Sequence, residues 1–574
     1  MFKQNTAHLQ GDFFSVENML NPAQKEHLLE SKEYHFYDIV FRNIKETDFA
    51  VLYSKKLSRP NSPINVLVSA LILKEMHNWS FKELFSNLLL NLMVRSAVGL
   101  RTINAPVFSY ATIFNFQNRL ATYYEKQGIN LIENLFNSLT VEQIAKFQIE
   151  TDMQRCDSTL IGENIRRYSR LQLLIECLLR LQRDLSDTDK ALFNNLLQKY
   201  TEITSQNYIY RLKSEDMPHE LEYIGQIYQK LHQELKGYEK TKSFQNFKRV
   251  YREHFVEVET KVEPKDNKDL ISSNLQSPDS TTATYRKKDG VHSYGTLINA
   301  FETCNPVNPF QLDTDVSVHA NNVDDSTIGN IRIDKVIEKT PNLNQLHTDA
   351  AYGSMENDKK FNELGITHIA TAIRGRQTEV DIVIEPLTND NTIKELVNQN
   401  DTTVKPAYLI TCPNQKVESE LTKNNFKAKF DAAKCAECPL FMLCSIAKSK
   451  SVYYFKEKDV LANARKRNIL QIPKEHRTLR SNIEATIKEF KAPTRNGKLR
   501  VRGMFRMMLF AFCRAISINM GRIHRYCAKK CRFSSKNGFF QSLFNFILKL
   551  YLNMVLKFEF CRVTLHSRFL TQPF

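Results

Sequence analysis

A chain of 574 residues with 42% hydrophobic and 25% charged content is an ordinary soluble globular composition, long enough for several cores at about 150 residues each. Its 80 Lys and Arg against 63 Asp and Glu leave a formal charge of +17, which points to a polyanionic partner, because counterion release drives basic proteins onto nucleic acid whatever its sequence. The polar start MFKQNTAHLQGDFF argues against secretion and for the cytoplasm, and eleven cysteines then read as thiols or metal ligands, not as a disulfide frame.

Residues 1 to about 55 are mixed. At Ser62-Pro63 a capping serine and a proline at the first helical position open a largely buried helix, INVLVSALILKEMH. Ser80 and Glu83 form a capping box ahead of FKELFSNLLLNLMVRSAVGL, a helix ended by Gly99, and a third helix starts at Ser109. Three short helices with tight turns are compatible with a helix-turn-helix and equally with a plain bundle. The stretch FQIETDMQRCDSTLIG predicts a strand running into a loop near Asp157. From Ser169 to about Val262 the period is helical again, with a second capping box at Ser186 and Asp189, and residues 263 to 280 read as a surface connector.

The period then becomes two. TYRKKDG and VHSYGTLINAF predict a hairpin around Asp289-Gly290, FQLDTDVSVHA adds a third strand, and a helix near 326 to 338 leads to QLHTDAAYG, a strand that stops at Asp349. A helix restarts at Gly353-Ser354, and THIATAI is another strand. A three-strand meander followed by alternating helix and strand is an α/β arrangement, in the order that a ribonuclease H-like core needs. Further on, RTLRSNIEATIKEFK read as a helix places Arg477, Arg480, Glu484 and Lys491 on one face. From Lys491 to Gly538 there are thirteen Lys or Arg and no Asp or Glu, enough to line a nucleic-acid backbone. In the most apolar segment, Phe539 to Phe560, Asn545, Lys549, Asn553 and Lys557 recur every four residues, which predicts an amphipathic helix and no membrane span.

Asp157 and Asp349 at strand ends, with Glu484 from the late helix, form a set of hard oxygen donors of the kind that holds Mg²⁺ or Mn²⁺ in two-metal phosphodiester chemistry. Asp152 is the rival for the first position. Cys412, Cys435, Cys438 and Cys444, with Cys435 and Cys438 in a Cys-x-x-Cys spacing, suit a structural Zn²⁺. Arg286, Lys287 and Lys288 on the first hairpin strand are placed to meet DNA phosphates, or to guard an exposed sheet edge.

Four stretches, SRPNSPINVLVSALILKEMHNWSFKEL, CDSTLIGENIRRYSRLQLL, HTDAAYGSMEN and RTLRSNIEATIKEFK, resemble the DDE transposases of bacterial insertion sequences, in the group with an N-terminal helical domain and a split ribonuclease H-like catalytic domain. The last is similar to the family's Y-(2)-R-(3)-E-(6)-K signature: Arg480, Glu484 and Lys491 fall on R, E and K, and Arg477 stands where the signature has tyrosine. The resemblance spans roughly residues 50 to 530 and implies Asp157, Asp349 and Glu484 as catalytic metal ligands, with Arg477, Arg480 and Lys491 on DNA. It implies an α/β fold laid out as an all-α DNA-binding domain (1–145), a catalytic core (146–168, 281–386 and 471–531), a helical insertion with connector (169–280), an insertion with the cysteine cluster (387–470) and a tail (532–574). The implied activity is metal-dependent cleavage at terminal inverted repeats and strand transfer to target DNA, by a homodimer or higher oligomer at the bacterial nucleoid. A nuclease of the same fold and a non-catalytic DNA-binding regulator are the alternatives.

Overall fold

The computed structural model describes residues 1–9, 15–57, 59–259, 261–288, 290–372, 379–387, 408–423 and 425–536, without the side chains of Arg477 and of residues 531–536. The expected amphipathic helix at Phe539–Phe560 and Asp289 of the hairpin turn lie outside these residues. Two compact units are present: Met1–Asn5, Lys45–Phe85 and Phe108–Ile518 form one, and Thr6–Ile44, Ser86–Val107 and the described part of Asn519–Phe574 form the other. None of the described helices is long and apolar enough to cross a membrane.

In the first unit the helix Ile64–Met76 is buried along nearly its whole length, as its composition predicts. Its cap differs from the expectation. Ser62 makes no capping bond and Pro63 is the N-cap; the carboxylate of Glu46 instead accepts from the N–H groups of Ile64 and Asn65, at 2.8 and 2.9 Å. A carboxylate at a helix start satisfies orphan donors and meets the positive end of the dipole together. The Ser80–Glu83 box forms in both directions. The long second helix is broken into Phe81–Leu90 and Leu92–Ala97, because Asn91 turns its side chain onto the N–H groups of Met93 and Val94 and caps a new helix. In the second unit Gly99 (φ 69°) does end that helix, and the ring of Phe41 occupies the space a β-carbon would need. The third helix, Tyr110–Gln127, begins directly after Ser109, whose side chain caps it.

The central sheet lies in the first unit: β1 (Met153–Gly162), β2 (Thr284–Lys288), β3 (Val291–Thr303), β4 (Asp313–Ala320), β5 (Gln345–Thr348) and β6 (Thr367–Ala370). β3 lies antiparallel between β1 and the pair β2 and β4, and on the other side β1, β5 and β6 run parallel. The hairpin is tight, with Lys288 opposite Val291 and Gly290 at φ 77°. The helices Asp325–Lys339 and Met355–Glu363 make the crossovers that parallel strands require. Cys156, Phe301, Ile333, Val336, Leu346, Tyr352 and Phe361 form the core beside the sheet.

Between β1 and β2 five helices fill the predicted insertion, Arg170–Asp184, Asp187–Thr201, Ser205–Arg211, Met217–Glu234 and Lys242–His254, around a core of their own that includes Leu174, Leu178, Tyr228 and Phe247. The helical reading ran on to Val262, but Phe255–Val258 and Lys261–Pro264 pair as a small hairpin. Of the second capping box only half forms: Ser186 accepts from Asp189 N, while its own N–H donates to the hydroxyl of Tyr238. After β6 a second, antiparallel sheet is built from β7 (Val383–Pro386), β8 (Tyr408–Thr411), β9 (Lys416–Leu421), β10 (Phe426–Lys429) and β11 (Val452–Phe455). The helix Glu457–Gln471 returns the chain to the central sheet, and the helix Met504–Lys536 follows the basic loop.

Candidate active site

Asp157 was expected where a strand gives way to a loop. It lies mid-strand, because β3 accompanies β1 antiparallel as far as Gly162–Gly295. What stops near Asp157 is the parallel pairing with β5, whose last partners are Arg155 and His347. Continuing that register by two residues sets Asp157 level with Asp349, the first residue after β5. Asp152 precedes β1 and binds Asn305 through its side chain (2.8 Å). At about 3.3 Å per residue it stands ~16 Å from Asp157, towards the opposite end of the strand from Asp349.

Residues of one parity share a face of a strand, so Arg155 and Asp157 point the same way. Both grip the segment that carries the third carboxylate. Arg155 Nη1 donates to the carbonyl of Leu479 (2.9 Å), and Arg480 Nη2 donates to Asp157 Oδ2 (2.7 Å). Arg480 also stands 3.7 Å from Glu484 Oε1, so one guanidinium joins the first and third carboxylates. Behind it, buried Glu302 on β3 pairs with Arg155 Nε (2.8 Å) and accepts from Thr486 Oγ1 (3.1 Å). The segment is not the single α-helix expected. Lys474–Asn482 is a 3₁₀-helix, and the α-helix starts at Ile483 and runs to Lys491. Thr478 and Ser481 bond back to the carbonyls three residues earlier, at 3.1 and 2.6 Å, and Arg155 draws on the Leu479 carbonyl; these bonds favour the tighter winding. The α-helix buries Ile483, Thr486 and Phe490 and turns Glu484, whose side chain is 60% exposed, outward.

Asp349 caps its own turn, Oδ1 accepting from Ala351 N at 2.8 Å, and is half-buried. A fourth carboxylate, Asp325 in the first turn of its helix, accepts from the hydroxyl of Ser158. Burial raises the Asp157 carboxyl above its ordinary value; Arg480 and the Ser158 N–H oppose that shift, and the charges of Asp349 and Asp325 add to it. Asp325 went unnoticed in the sequence, where an acidic residue in a first helical turn reads as dipole compensation, and nothing in a single chain distinguishes the two roles. Arg155 and Glu302 were also missed: charged residues inside strands that become buried carry no local signal.

The other sequence candidates are dispersed. Lys491 is exposed at the end of the Glu484 helix, and Arg477 belongs to the 3₁₀ segment. Arg286 is tied to the carbonyl of Asn321 (3.1 Å), whereas Lys287 and Lys288 are exposed on the edge strand β2. Cys412 and Cys435 both receive hydrogen bonds from Gln415, and with Cys444 they border the core of the second sheet; Cys438 is partly exposed. Among the described residues no three His, Cys, Asp or Glu side chains are grouped as a metal site, at the cysteines or at the carboxylates.

Asp157 on the central sheet is thus joined through Arg480 to Glu484 on a late helix, with Asp325 bonded to the neighbouring Ser158. Two family models match the chain: one described as "Transposase domain (DUF772)" matches residues 21–119, and one described as "Transposase DDE domain" matches residues 411–524. Two separate stretches of the chain are thus similar to transposase domains, the later one to a DDE domain. No curated protein and no solved structure matches it. The DDE-domain match takes in the four cysteines, Arg477, Arg480, Glu484 and Lys491; Asp157 and Asp349 lie upstream of it.

Proposed function

We propose that the protein is an active DNA transposase that binds the terminal inverted repeats of its own element, cleaves there and joins the freed ends to target DNA, working as a homo-oligomer in the bacterial cytoplasm. The observation that carries this reading is the Arg480 bridge from Asp157 to Glu484, level with Asp349 across the parallel register. The strand order, with an antiparallel meander on one side of β1 and parallel strands on the other, supports a ribonuclease H-like core. The exposed edge Lys287 and Lys288, Lys491 and the basic run beyond it supply phosphate contacts, and the exposed faces of Phe81–Leu90 and Tyr110–Gln127 suit repeat recognition better than the buried helix Ile64–Met76.

The donor types suit Mg²⁺ or Mn²⁺: all three are hard carboxylates, Arg480 links Asp157 to Glu484, and burial, with the charges of Asp349 and Asp325 adding to it, raises Asp157. Asp157, Asp349 and Glu484 would hold it, and when bound it supplies Lewis-acid stabilisation of charge at phosphorus. Arg480, already between two of the carboxylates, offers the remaining donors of its guanidinium to a phosphate oxygen. In cleavage, water oxygen bonds to phosphorus, the 3′-oxygen leaves with a proton, and a 5′-phosphate remains. In transfer, that 3′-hydroxyl attacks a target phosphodiester and expels its 3′-oxygen. The thiol set is also compatible with structural Zn²⁺, which metal analysis of reduced protein measures directly.

The test is cleavage of duplexes carrying the element's ends, with Mg²⁺ or Mn²⁺. Asp157→Asn, Asp349→Asn and Glu484→Gln should each reduce nicking by at least about 10³-fold, the scale of a lost main electrostatic contribution. Wild-type nicking by any of the three removes that residue from the site, and cleavage without joined product favours a nuclease.

A further inference from the structure

Behind Asp349, away from the Arg480 bridge, lies a buried polar chain that the proposed chemistry does not use. Arg465, on the helix Glu457–Gln471, donates to both oxygens of Asp358, at 2.8 and 2.7 Å. Asp358 faces His368 Nδ1 on β6 at 3.5 Å; His368 Nε2 pairs with the hydroxyl of Thr348 at 2.8 Å, and that hydroxyl lies 2.9 Å from the carbonyl of Asp349. Every side chain in the chain is buried or nearly so. The Asp349 turn is shaped around it: a β-carbon on Gly353 would stand 2.8 to 3.0 Å from the guanidinium carbon and terminal nitrogens of Arg465, and the two bonds to Asp358 leave that group little room to move. The same helix is followed, across Pro473, by the 3₁₀ segment that carries Arg480, so Arg465 ties the turn of the second carboxylate to the chain bringing the third.

We propose that Arg465 is a positioning residue: through Asp358, His368 and Thr348 it fixes the backbone of Asp349, so that this carboxylate is presented to the divalent cation at the required orientation. The inference rests on the reading of Asp349 as a metal ligand. Groups that orient metal ligands from behind typically change affinity by about 10- to 100-fold when removed. A lysine in place of Arg465 keeps the charge but loses the planar guanidinium, whose Nη1 reaches both Asp358 oxygens, and restores only part.

The experiment is Mn²⁺ titration of the full chain without DNA, followed by the electron paramagnetic resonance of free Mn²⁺, alongside the Mn²⁺ concentration for half-maximal nicking. Arg465→Met and Gly353→Ala should each weaken Mn²⁺ binding by about tenfold or more and raise the half-maximal concentration in step, with Arg465→Lys between them and wild type. Gly353→Ala leaves the ion pair's residues in place and decides the matter if Arg465→Met does not fold. Folded Gly353→Ala and Arg465→Met proteins with Mn²⁺ affinity within twofold of wild type overturn the inference. Asp349→Asn separates the two readings: if it binds Mn²⁺ and nicks like wild type, the assignment of Asp349 fails; if it loses both while the other variants keep both, only the role of Arg465 fails.

Discussion

Asp157 shows the cost of gathering charge at one point. Its folded-state value lies above the ordinary 3.8, so the fold prefers it protonated; the stability it contributes is complete below about pH 3.8 and lost as pH rises through the raised value. At neutral pH the ionised carboxylate is therefore a net expense. Asp157→Asn is expected to abolish cleavage while melting no lower than wild type at pH 7, with the difference closing as pH is lowered towards 3.8; a scan in which the variant melts well below wild type at pH 7 contradicts this. Added Mn²⁺ should raise the melting temperature of wild type and do so less for the variant, because a ligand that binds only the folded state stabilises it by mass action. At this scale placement was legible in part. Arg480 and Glu484 share one face as their spacing predicts, and Asp349 directly follows a strand. Asp157 reads in the sequence as the edge of a loop, because the partner of its strand lies well over a hundred residues on, out to Thr303.

Among elements, the helix Ile483–Lys491 depends on what it sits against. Its seat is the pair Arg155–Glu302, whose side chains are 6% and 1% exposed, with Thr486 on the same carboxylate. Removing one member of a buried pair leaves the other charged and desolvated, so Glu302→Ala should cost about 3–5 kcal/mol of stability by denaturant titration. Because Arg155 also holds the Leu479 carbonyl, nicking should fall too, at temperatures where the variant is still folded. A loss below about 1 kcal/mol would mean that water or a neighbour replaces Glu302. Elements whose signals are local came through intact: the Ser80–Glu83 box, the helix start at Ser109 and the hairpin strands either side of Gly290. Those decided at a distance did not. Glu46 replaces Ser62 as a cap from eighteen positions upstream of Ile64, and the 3₁₀ winding ahead of Glu484 answers partly to Arg155, far back in the chain.

For the molecule as a whole, acid is the revealing variable. Burial lowers His254 in the helical insertion, His319 on β4 and His347 on β5 to about 4, from an ordinary 6.5. Depressed folded values mean that the unfolded chain takes up protons first, so this stability is complete above about pH 6.5 and drains away as pH falls towards 4. Melting temperature should therefore decline between pH 6.5 and 4, and His319→Gln should flatten the decline; an unchanged pH profile in that variant would show that His319 does not titrate as its burial requires. The α/β order of the central sheet and its helical insertion could be read in advance, since each segment's period is set by its own residues; the second sheet could not, because short strands such as Lys416–Leu421 are mostly polar and exposed. The bond between Arg480 and Asp157 joins residues 323 positions apart. A ribosome adding about 5–20 residues per second needs roughly 15–65 s to make the intervening chain. On the proposed reading, the nascent protein in that interval carries its first helices but no third carboxylate, so it would engage DNA before it could cut, and a message broken ahead of Glu484 would yield a product that occupies DNA without nicking it.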